Sequence, residues 1–317
     1  MKLIILQFIS LGTIQILTVL LISPFINTFM KKIKAWLQGR KGPPILQGYY
    51  DLIKYFCKES VISKHASWIF TFTPYIFFTS TLIASLLIPT FYDLSMFNIL
   101  GGIILIIYIF GLGRFFITTA AMEPGSGFCG MASSREMMLS MLIEPVMLLS
   151  LFIFVLISGS TNLPNIINYF SIHSNSLLYP SYLLAICALF VAGIAEMGRV
   201  PFDNPETHYE LTMIHEGLLL EYSGKELGLM FWSSWTKQLL VLSLLANLIF
   251  PFHFDLFVLK FLFLLLKIVF LCILVALIET VFAKVRLFRV KDILITSFVT
   301  AIIALVLLVK QTTGWFN

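Results

Sequence analysis

Residues 256–282 read LFVLKFLFLLLKIVFLCILVALIETVF, a run of 27 residues of which three are charged. A run of this length with so few charges predicts a membrane-spanning helix, because about 20 apolar residues cross the hydrocarbon core of a bilayer. A strand of a membrane barrel would instead alternate apolar and polar residues over about ten positions. The segment therefore predicts an α-helical membrane protein.

The rest of the chain has the same character. It has 317 residues, of which 59% are hydrophobic and 12% charged, a composition that excludes a soluble domain. Eight apolar runs predict eight transmembrane helices: residues 3–29, 68–89, 97–120, 137–157, 177–197, 229–249, 256–282 and 293–309. Because no linker or low-complexity segment separates the runs, we predict one all-α polytopic membrane domain that comprises residues 1–317.

The basic residues are distributed very unevenly among the loops. Fifteen Lys and Arg residues lie in the loops after the first, third, fifth and seventh runs, eight of them within residues 30–67. The loops after the second, fourth and sixth runs contain none. Cytoplasmic loops are enriched in Lys and Arg, so this asymmetry predicts that the odd-numbered loops are cytoplasmic and that both termini face outward.

The first of these loops contains GRKGPPILQGYYDLIKYFCKESV, at residues 39–61. After a basic turn rich in Gly and Pro, apolar residues recur at helical spacing, which predicts an amphipathic helix on the cytoplasmic side. The stripe consists of Leu46, Tyr49, Tyr50, Ile53, Phe56 and Cys57. Two interpretations stay open: a helix that only anchors the loop to the membrane surface, or one that forms the floor of a cavity or a platform for a docked protein.

The loop after the third run contains MEPGSGFCGMASSREMM, at residues 122–138. Ser133 precedes Glu136 by three residues, which is the spacing of a capping box and predicts the start of the fourth membrane helix. The glycines are not followed by the Lys of a phosphate-binding loop, so a tight turn is the better interpretation.

An acidic segment, residues 198–228, follows the fifth run. It contains six carboxylates and two basic residues, a formal charge of −4, on the side where basic residues normally gather. The sequence Asn204-Pro205-Glu206 predicts the start of a helix, with Asn as N-cap and Pro in the first turn. Either the segment is a solvated acidic loop, or it is a half-buried helix that belongs to a proton path or a partner interface.

Within the apolar runs we single out six ionisable residues: Arg114, Glu144, Glu196, Lys237, Lys267 and Glu279. Each costs about 2.5–3.5 kcal/mol at the centre of a membrane helix, so three acids and three bases predict mutual neutralisation. A rise of about 1.5 Å per residue puts all but Lys267 in the cytoplasmic half of the membrane. The alternatives are pairing for structure alone and a hydrated passage that opens toward the cytoplasm.

The four cysteines lie far apart, without the C-x-x-C spacing of a local metal or iron–sulfur site. We therefore predict no catalytic, cofactor-binding or metal-binding residues in this chain, and any electron carrier should belong to another chain.

Two groups of motifs resemble a known family. EMGRVPFDNPETHYEL at residues 196–211, EYSG at 221–224 and GRKGPPILQGYYDLIKYF at 39–56 resemble the subunit 1 family of respiratory complex I and its relatives in membrane-bound [NiFe] hydrogenases. The motifs MEPGSGF, SSRE and LIEPVMLL, at residues 122–128, 133–136 and 142–149, are similar to those of the hydrogenase-4 and formate hydrogenlyase branch.

This resemblance implies a non-catalytic membrane anchor and ion-coupling subunit in a bacterial or archaeal cytoplasmic membrane. The implied partners are hydrogenase-like large and small subunits, an iron–sulfur subunit and antiporter-like membrane subunits, and the NiFe centre and iron–sulfur clusters would lie in those partners. The alternative within the family is the quinone-site subunit of a complex I-type NADH/quinone oxidoreductase.

The resemblance also assigns two groups of residues. The proton path and coupling group would comprise Arg114, Glu144, Glu196, Lys237, Lys267 and Glu279. The junction with the soluble partners would comprise Arg199, Asp203, Glu206, His208, Glu210, His215, Glu216 and Glu221. His208 and His215 add groups that titrate near neutral pH.

Overall fold

The computed structural model describes residues 2–63, 66–90, 102–204, 213–252 and 257–313. Within those ranges the chain forms α1 (Lys2–Leu37), α2 (Gln47–Phe56), α3 (Trp68–Leu87), α4 (Ile103–Met122), α5 (Gly127–Ser158), α6 (Leu163–Ile172), α7 (Pro180–Glu196), α8 (Gly224–Ile249), α9 (Phe257–Val281) and α10 (Leu287–Thr313). Two short 3-10 turns, Ser174–Leu178 and Glu216–Leu219, join them. The predicted all-helical class is confirmed for the described residues.

Six of these helices, α1, α3, α4, α5, α9 and α10, are long and apolar enough to cross a membrane. The chain is therefore a multi-pass membrane protein. The helix α7 is apolar but only 17 residues long. The helix α8 has 26 residues but carries several buried polar side chains, among them Ser233, Thr236, Lys237 and Asn247.

The fourth predicted span begins earlier than expected. Its helix, α5, starts at Gly127 rather than at 137, and the predicted capping box is wrong because Ser133 lies inside the helix. The hydroxyl of Ser133 donates to the Thr118 carbonyl of α4 at 2.9 Å. Cys129, Ala132, Ser133 and Glu136 are all buried at helical spacing, so packing of this face extends the helix through the glycine-rich stretch.

The structure also differs from the prediction at the end of α1 and at a short helix between α5 and α7. The helix α1 continues to Leu37, so that Lys31, Lys32 and Lys34 are helical rather than part of a loop. The short helix α6 was not predicted, because its ten residues are too few for a membrane run. It buries Leu163, Ile166, Ile167 and Phe170 in the core.

The helix α8 lies at the centre of the bundle, where it packs against α1, α2, α3, α7 and α9. A second group of contacts joins α7 to α5 and α10, and α3 pairs with α4. Polar residues of α8 are therefore surrounded by other helices.

The helix α2 lies directly on α1. A Cβ atom at Gly48 would come within 2.7 Å of Thr28 Oγ1 and 2.8 Å of the Pro24 carbonyl, so only glycine permits this approach. The Gly48 N–H donates to Thr28 Oγ1 at 3.1 Å. One face of α2 is thus fixed, and the opposite face presents Leu46, Tyr50 and Ile53 on the exposed surface.

Candidate functional site

Glu196, at the end of α7, is the centre of a buried group of charges. Its carboxylate lies 2.7 Å from Lys237 Nζ of α8 and 3.1 Å from Arg114 Nη2 of α4, and its side chain has no solvent exposure. Arg114 also reaches Glu144 Oε1 of α5 at 3.4 Å. Four of the six charges singled out in the apolar runs are therefore brought together, and their signs balance.

A second group surrounds Arg199, just after α7. Its guanidinium donates to Asn27 Oδ1 and Gln238 Oε1, both at 2.9 Å, and lies 3.3 Å from Glu279 Oε1. Glu279 also pairs with Lys34 of α1 at 3.4 Å. Since Gln238 follows Lys237 on α8, the two groups are adjacent.

Sequence reasoning missed Asn27, Lys34 and Gln238 as members of this group. Lys34 was assigned to a loop. The amide residues Asn27 and Gln238 carry no charge that would make them stand out within an apolar run. A signal was present, because Asn27 and Lys34 are seven residues apart on one helix and hence on the same face.

A third group lies in the loops. Asp203 Oδ1 accepts from Lys284 Nζ at 2.7 Å, and Asp203 Oδ2 accepts from the His215 backbone N–H at 3.0 Å. The imidazole of His215 lies between two carboxylates, 3.3 Å from Asp203 Oδ2 and 3.5 Å from Glu136 Oε2. Glu136, noted only for a capping role, is thus part of the site.

These contacts shift two pKa values. Burial would raise the pKa of Asp203, but the hydrogen bonds and charges of His215 and Lys284 outweigh it and hold the pKa well below its usual range. Burial would likewise lower the pKa of His215, but the Glu136 and Asp203 carboxylates raise it above its ordinary value. The raised pKa favours the protonated imidazole, and in that form both of its carboxylate contacts are ion pairs.

A cavity of ≈130 Å³ lies where the three groups meet. Its polar wall is formed by Arg114, Glu136, Glu196, Arg199, His215 and Lys237, and its apolar wall by Phe77, Ile117, Met230, Phe231 and Trp235. Arg114 Nε and Nη1 and Arg199 Nε have no acceptor among the described residues. The space can hold several waters that accept from these donors and connect the carboxylates by hydrogen bonds.

Lys267 lies apart from these groups. Its ammonium donates to the Phe250 carbonyl and, at 3.1 Å, to the Phe252 carbonyl, just beyond the C-terminal end of α8. The Phe263 ring lies below it, 4.6 Å from Nζ to the centroid. A cation that satisfies carbonyls at a helix C-terminus stabilises that turn, so these contacts account for the position of Lys267.

The substitution Lys267→Met should lower the free energy of unfolding by about 1–3 kcal/mol, because charge-assisted hydrogen bonds to the end of α8 are lost. Denaturant unfolding in detergent measures the change. Lys291→Met, which removes an exposed lysine of α10, is the matched control and should have little effect. Equal stability of the two variants would contradict the capping role.

The other predicted junction residues are placed as follows. Glu216 begins the second 3-10 turn and lines the cavity, and Glu221 is partly buried just after that turn. Glu206, His208 and Glu210 lie outside the described residues. In the part of the chain that the structure describes, no three His, Cys, Asp or Glu side chains come together as a possible metal site.

The raised pKa of His215 predicts a pH dependence of the segment 213–223. The ion pairs of His215 should be complete below pH ~6.5, the ordinary histidine pKa. They should be lost as the pH rises through the raised pKa of His215 in the folded protein. The charges that face the ring are Asp203, Glu136, Glu196 and Lys237, and the first two favour its protonated form. Hydrogen exchange of this segment, corrected for intrinsic rates, should therefore accelerate toward alkaline pH.

The variant His215→Gln should lose this pH dependence. The matched control is His173→Gln, because the His173 ring is exposed and, among its described contacts, meets only Tyr169, four residues earlier in the chain. Identical exchange profiles for His215→Gln and the unmodified protein would refute the assignment.

Comparison with known proteins agrees with the motifs. The family described as NADH dehydrogenase matches residues 10–310. The chain is 36% identical to formate hydrogenlyase subunit 4 of Escherichia coli K12 over 238 residues, which cover 75% of this chain and 76% of that protein. It is also 36% identical to hydrogenase-4 component C of the same organism, with 75% and 74% covered.

Two further similarities are more distant, one in sequence and one in fold. A subunit of the NADH-quinone oxidoreductase of Geobacillus thermodenitrificans NG80-2 is 29% identical over 226 residues, 68% of this chain and 66% of that protein. A chain of the membrane-bound sulfane sulfur reductase, an archaeal respiratory membrane complex, shares the fold with a TM-score of 0.80 and 20% identity, covering 94% of this chain and 99% of the other. The resemblance inferred from the motifs is thereby confirmed: the chain belongs to the NADH dehydrogenase family of complex I subunit 1-like membrane proteins and is similar to hydrogenase-4 and formate hydrogenlyase subunits.

Proposed function

We propose that this chain is the membrane anchor and ion-coupling subunit of a multi-subunit complex of the hydrogenase-4 or formate hydrogenlyase type. It would link a cytoplasmic arm that holds a NiFe centre and iron–sulfur clusters to antiporter-like membrane subunits. The observation that carries the proposal is the series of mostly buried charges from Asp203 in the loops, past the cavity, to the partly exposed Glu144 in α5.

The Glu144 end of this series of charges favours a partner subunit that lies beside this chain in the membrane. The Glu144 side chain is 39% exposed, although it lies in the middle of a long apolar helix, whereas its partner Arg114 is buried. A carboxylate exposed to lipid is costly, so a neighbouring membrane subunit should cover it and continue the path. The other end, with Asp203 and His215, lies in the loops, where a soluble partner can reach it.

The proposed topology has eight spans. To the six long apolar helices it adds α7, whose 17 residues rise about 25 Å, and α8, which other helices shield from lipid. With the basic loops inside, the charge groups and the amphipathic helix α2 lie on the cytoplasmic side of a bacterial or archaeal inner membrane.

A quinone-site subunit of a complex I-type NADH/quinone oxidoreductase is the second candidate. It is favoured by the apolar wall of the cavity, which includes Phe231 and Trp235. An aromatic wall beside polar groups is the usual character of a small-molecule site.

Purification of the tagged protein in mild detergent, with mass spectrometry and nickel analysis, tests both. The proposal expects stoichiometric nickel and a hydrogenase-like large subunit. A nickel-free complex with flavin and inhibitor-sensitive quinone reduction would establish the second candidate, and a chain that purifies without partners would refute both.

A further inference from the structure

A hollow of ≈220 Å³ lies outside the charge groups, where α1 ends. Three of the six residues that line it are basic: the lining consists of Lys31, Ala35, Arg40, Lys41, Gly42 and Pro43. Within the described ranges, neither Arg40 nor Lys41 pairs with a carboxylate, and the Arg40 guanidinium donates to the neutral Gln38 amide. The hollow thus concentrates positive charge.

The backbone fixes the shape of this hollow. Gly39, two residues after α1, has a φ of 69°, and the Arg40 N–H donates to the Ala35 carbonyl at 2.8 Å. Gly42 then lies so close to α1 that a Cβ atom would come within 3.0 Å of Lys32 Cα and 3.1 Å of Ala35 Cβ. The chain therefore folds back on the helix and holds Arg40 and Lys41 beside it.

Large apolar side chains are exposed on the two segments that flank the hollow in the chain. Trp36, one residue from the hollow on α1, is 77% exposed. Across the loop, the free face of α2 presents Leu46, Tyr50 and Ile53 at i, i+4 and i+7, while its other face is held against α1 by Gly48. Trp and Tyr beside Lys and Arg at the end of a membrane helix are typical of the lipid headgroup region.

We propose that this hollow binds the phosphate headgroup of an anionic phospholipid, with Arg40 and Lys41 as its ligands and Trp36 and the free face of α2 against the acyl chains. A soluble anion would use the basic residues but not the flanking apolar side chains. A lipid satisfies both features in one molecule, which is why the observations favour it over a protein surface.

The test uses the protein purified in mild detergent with the subunits that accompany it. The sample is stripped of lipid, and binding of phosphatidylglycerol and phosphatidylcholine is then titrated by native mass spectrometry. Each basic residue near anionic lipid contributes about a fivefold change in affinity, so Arg40→Gln/Lys41→Gln should weaken phosphatidylglycerol binding about 25-fold. Phosphatidylcholine should bind weakly to all forms.

The matched control is Arg289→Gln/Lys291→Gln, which removes the same charge from exposed positions of α10 and should change binding little. The variant Trp36→Gln should also weaken phosphatidylglycerol binding, although it leaves the charge unchanged. Unfolding curves should coincide for all variants, because the replaced side chains are exposed.

Three outcomes would overturn the proposal. Equal binding by the double variant and its control would exclude a site at the hollow. Displacement of the lipid by millimolar inorganic phosphate, together with unchanged binding by Trp36→Gln, would establish a free-anion site. Loss of soluble subunits from the double variant, with lipid binding intact, would identify a protein docking surface instead.

Discussion

Replacement of Glu196 by glutamine should lower the free energy of unfolding by about 3–5 kcal/mol, the usual cost of removing one member of a buried ion pair. The carboxylate lies between the cations of Lys237 and Arg114, at 2.7 and 3.1 Å. Glutamine would leave both cations buried, and of the two only Arg114 would keep a carboxylate contact, to the partly exposed Glu144. Denaturant unfolding of the purified protein measures this loss.

The same substitution tests the proposed coupling. A glutamine at this position can neither bind nor release a proton, so ion translocation by the assembled complex should stop while its soluble arm still turns over. The double variant Glu196→Gln/Lys237→Met restores the charge balance and should recover most of the stability but not the translocation. Full translocation by Glu196→Gln would refute a proton path through this carboxylate.

Replacement of Arg199 should have the next largest effect. Arg199→Met leaves Glu279 with Lys34 alone, and it removes the donor to the buried Asn27 and partly buried Gln238 amide oxygens, so we again expect a loss of about 3–5 kcal/mol. Arg199→Lys should cost about 1–3 kcal/mol, because a single ammonium cannot replace the planar fork that reaches Asn27, Gln238 and Glu279 together.

The matched control for Arg199→Lys is Arg135→Lys. Arg135 is partly buried and donates to the Met213 carbonyl at 3.3 Å. One such bond can be made by either side chain, so this variant should be almost as stable as the unmodified protein. Equal losses for the two Arg→Lys variants would show that the fork at Arg199 has no special importance.

The apolar runs predicted the six long apolar helices well. A helix that crosses a membrane needs about 20 apolar residues in a row, and each run shows this without reference to the rest of the chain. The runs did not predict the start of α5 or the short helix α6. These features depend on burial against other helices rather than on a long local run of apolar residues. The prediction that Asn204-Pro205-Glu206 starts a helix stays a prediction, since Pro205 and Glu206 lie outside the described ranges.

The candidate site was predictable as a set of charges but not as a set of pairs. Arg199 and Asn27 are 172 residues apart, and Asp203 and Lys284 are 81 residues apart, so no sequence spacing relates them. Neutral amide residues such as Gln238 could not be recognised as site residues from the charge pattern of the sequence. For Lys267 the sequence did reveal a charge that is costly to bury in a membrane helix. Its carbonyl partners, however, could be found only from the three-dimensional structure.

The central position of α8 has a mechanical consequence. Lys237 and Gln238 are consecutive, and successive side chains of a helix point about 100° apart. A single rigid element therefore holds Glu196 through one residue and Arg199 through the next. Rotation or axial displacement of α8 would strain both groups simultaneously, so the two charge groups should respond as one unit to any force that moves this helix.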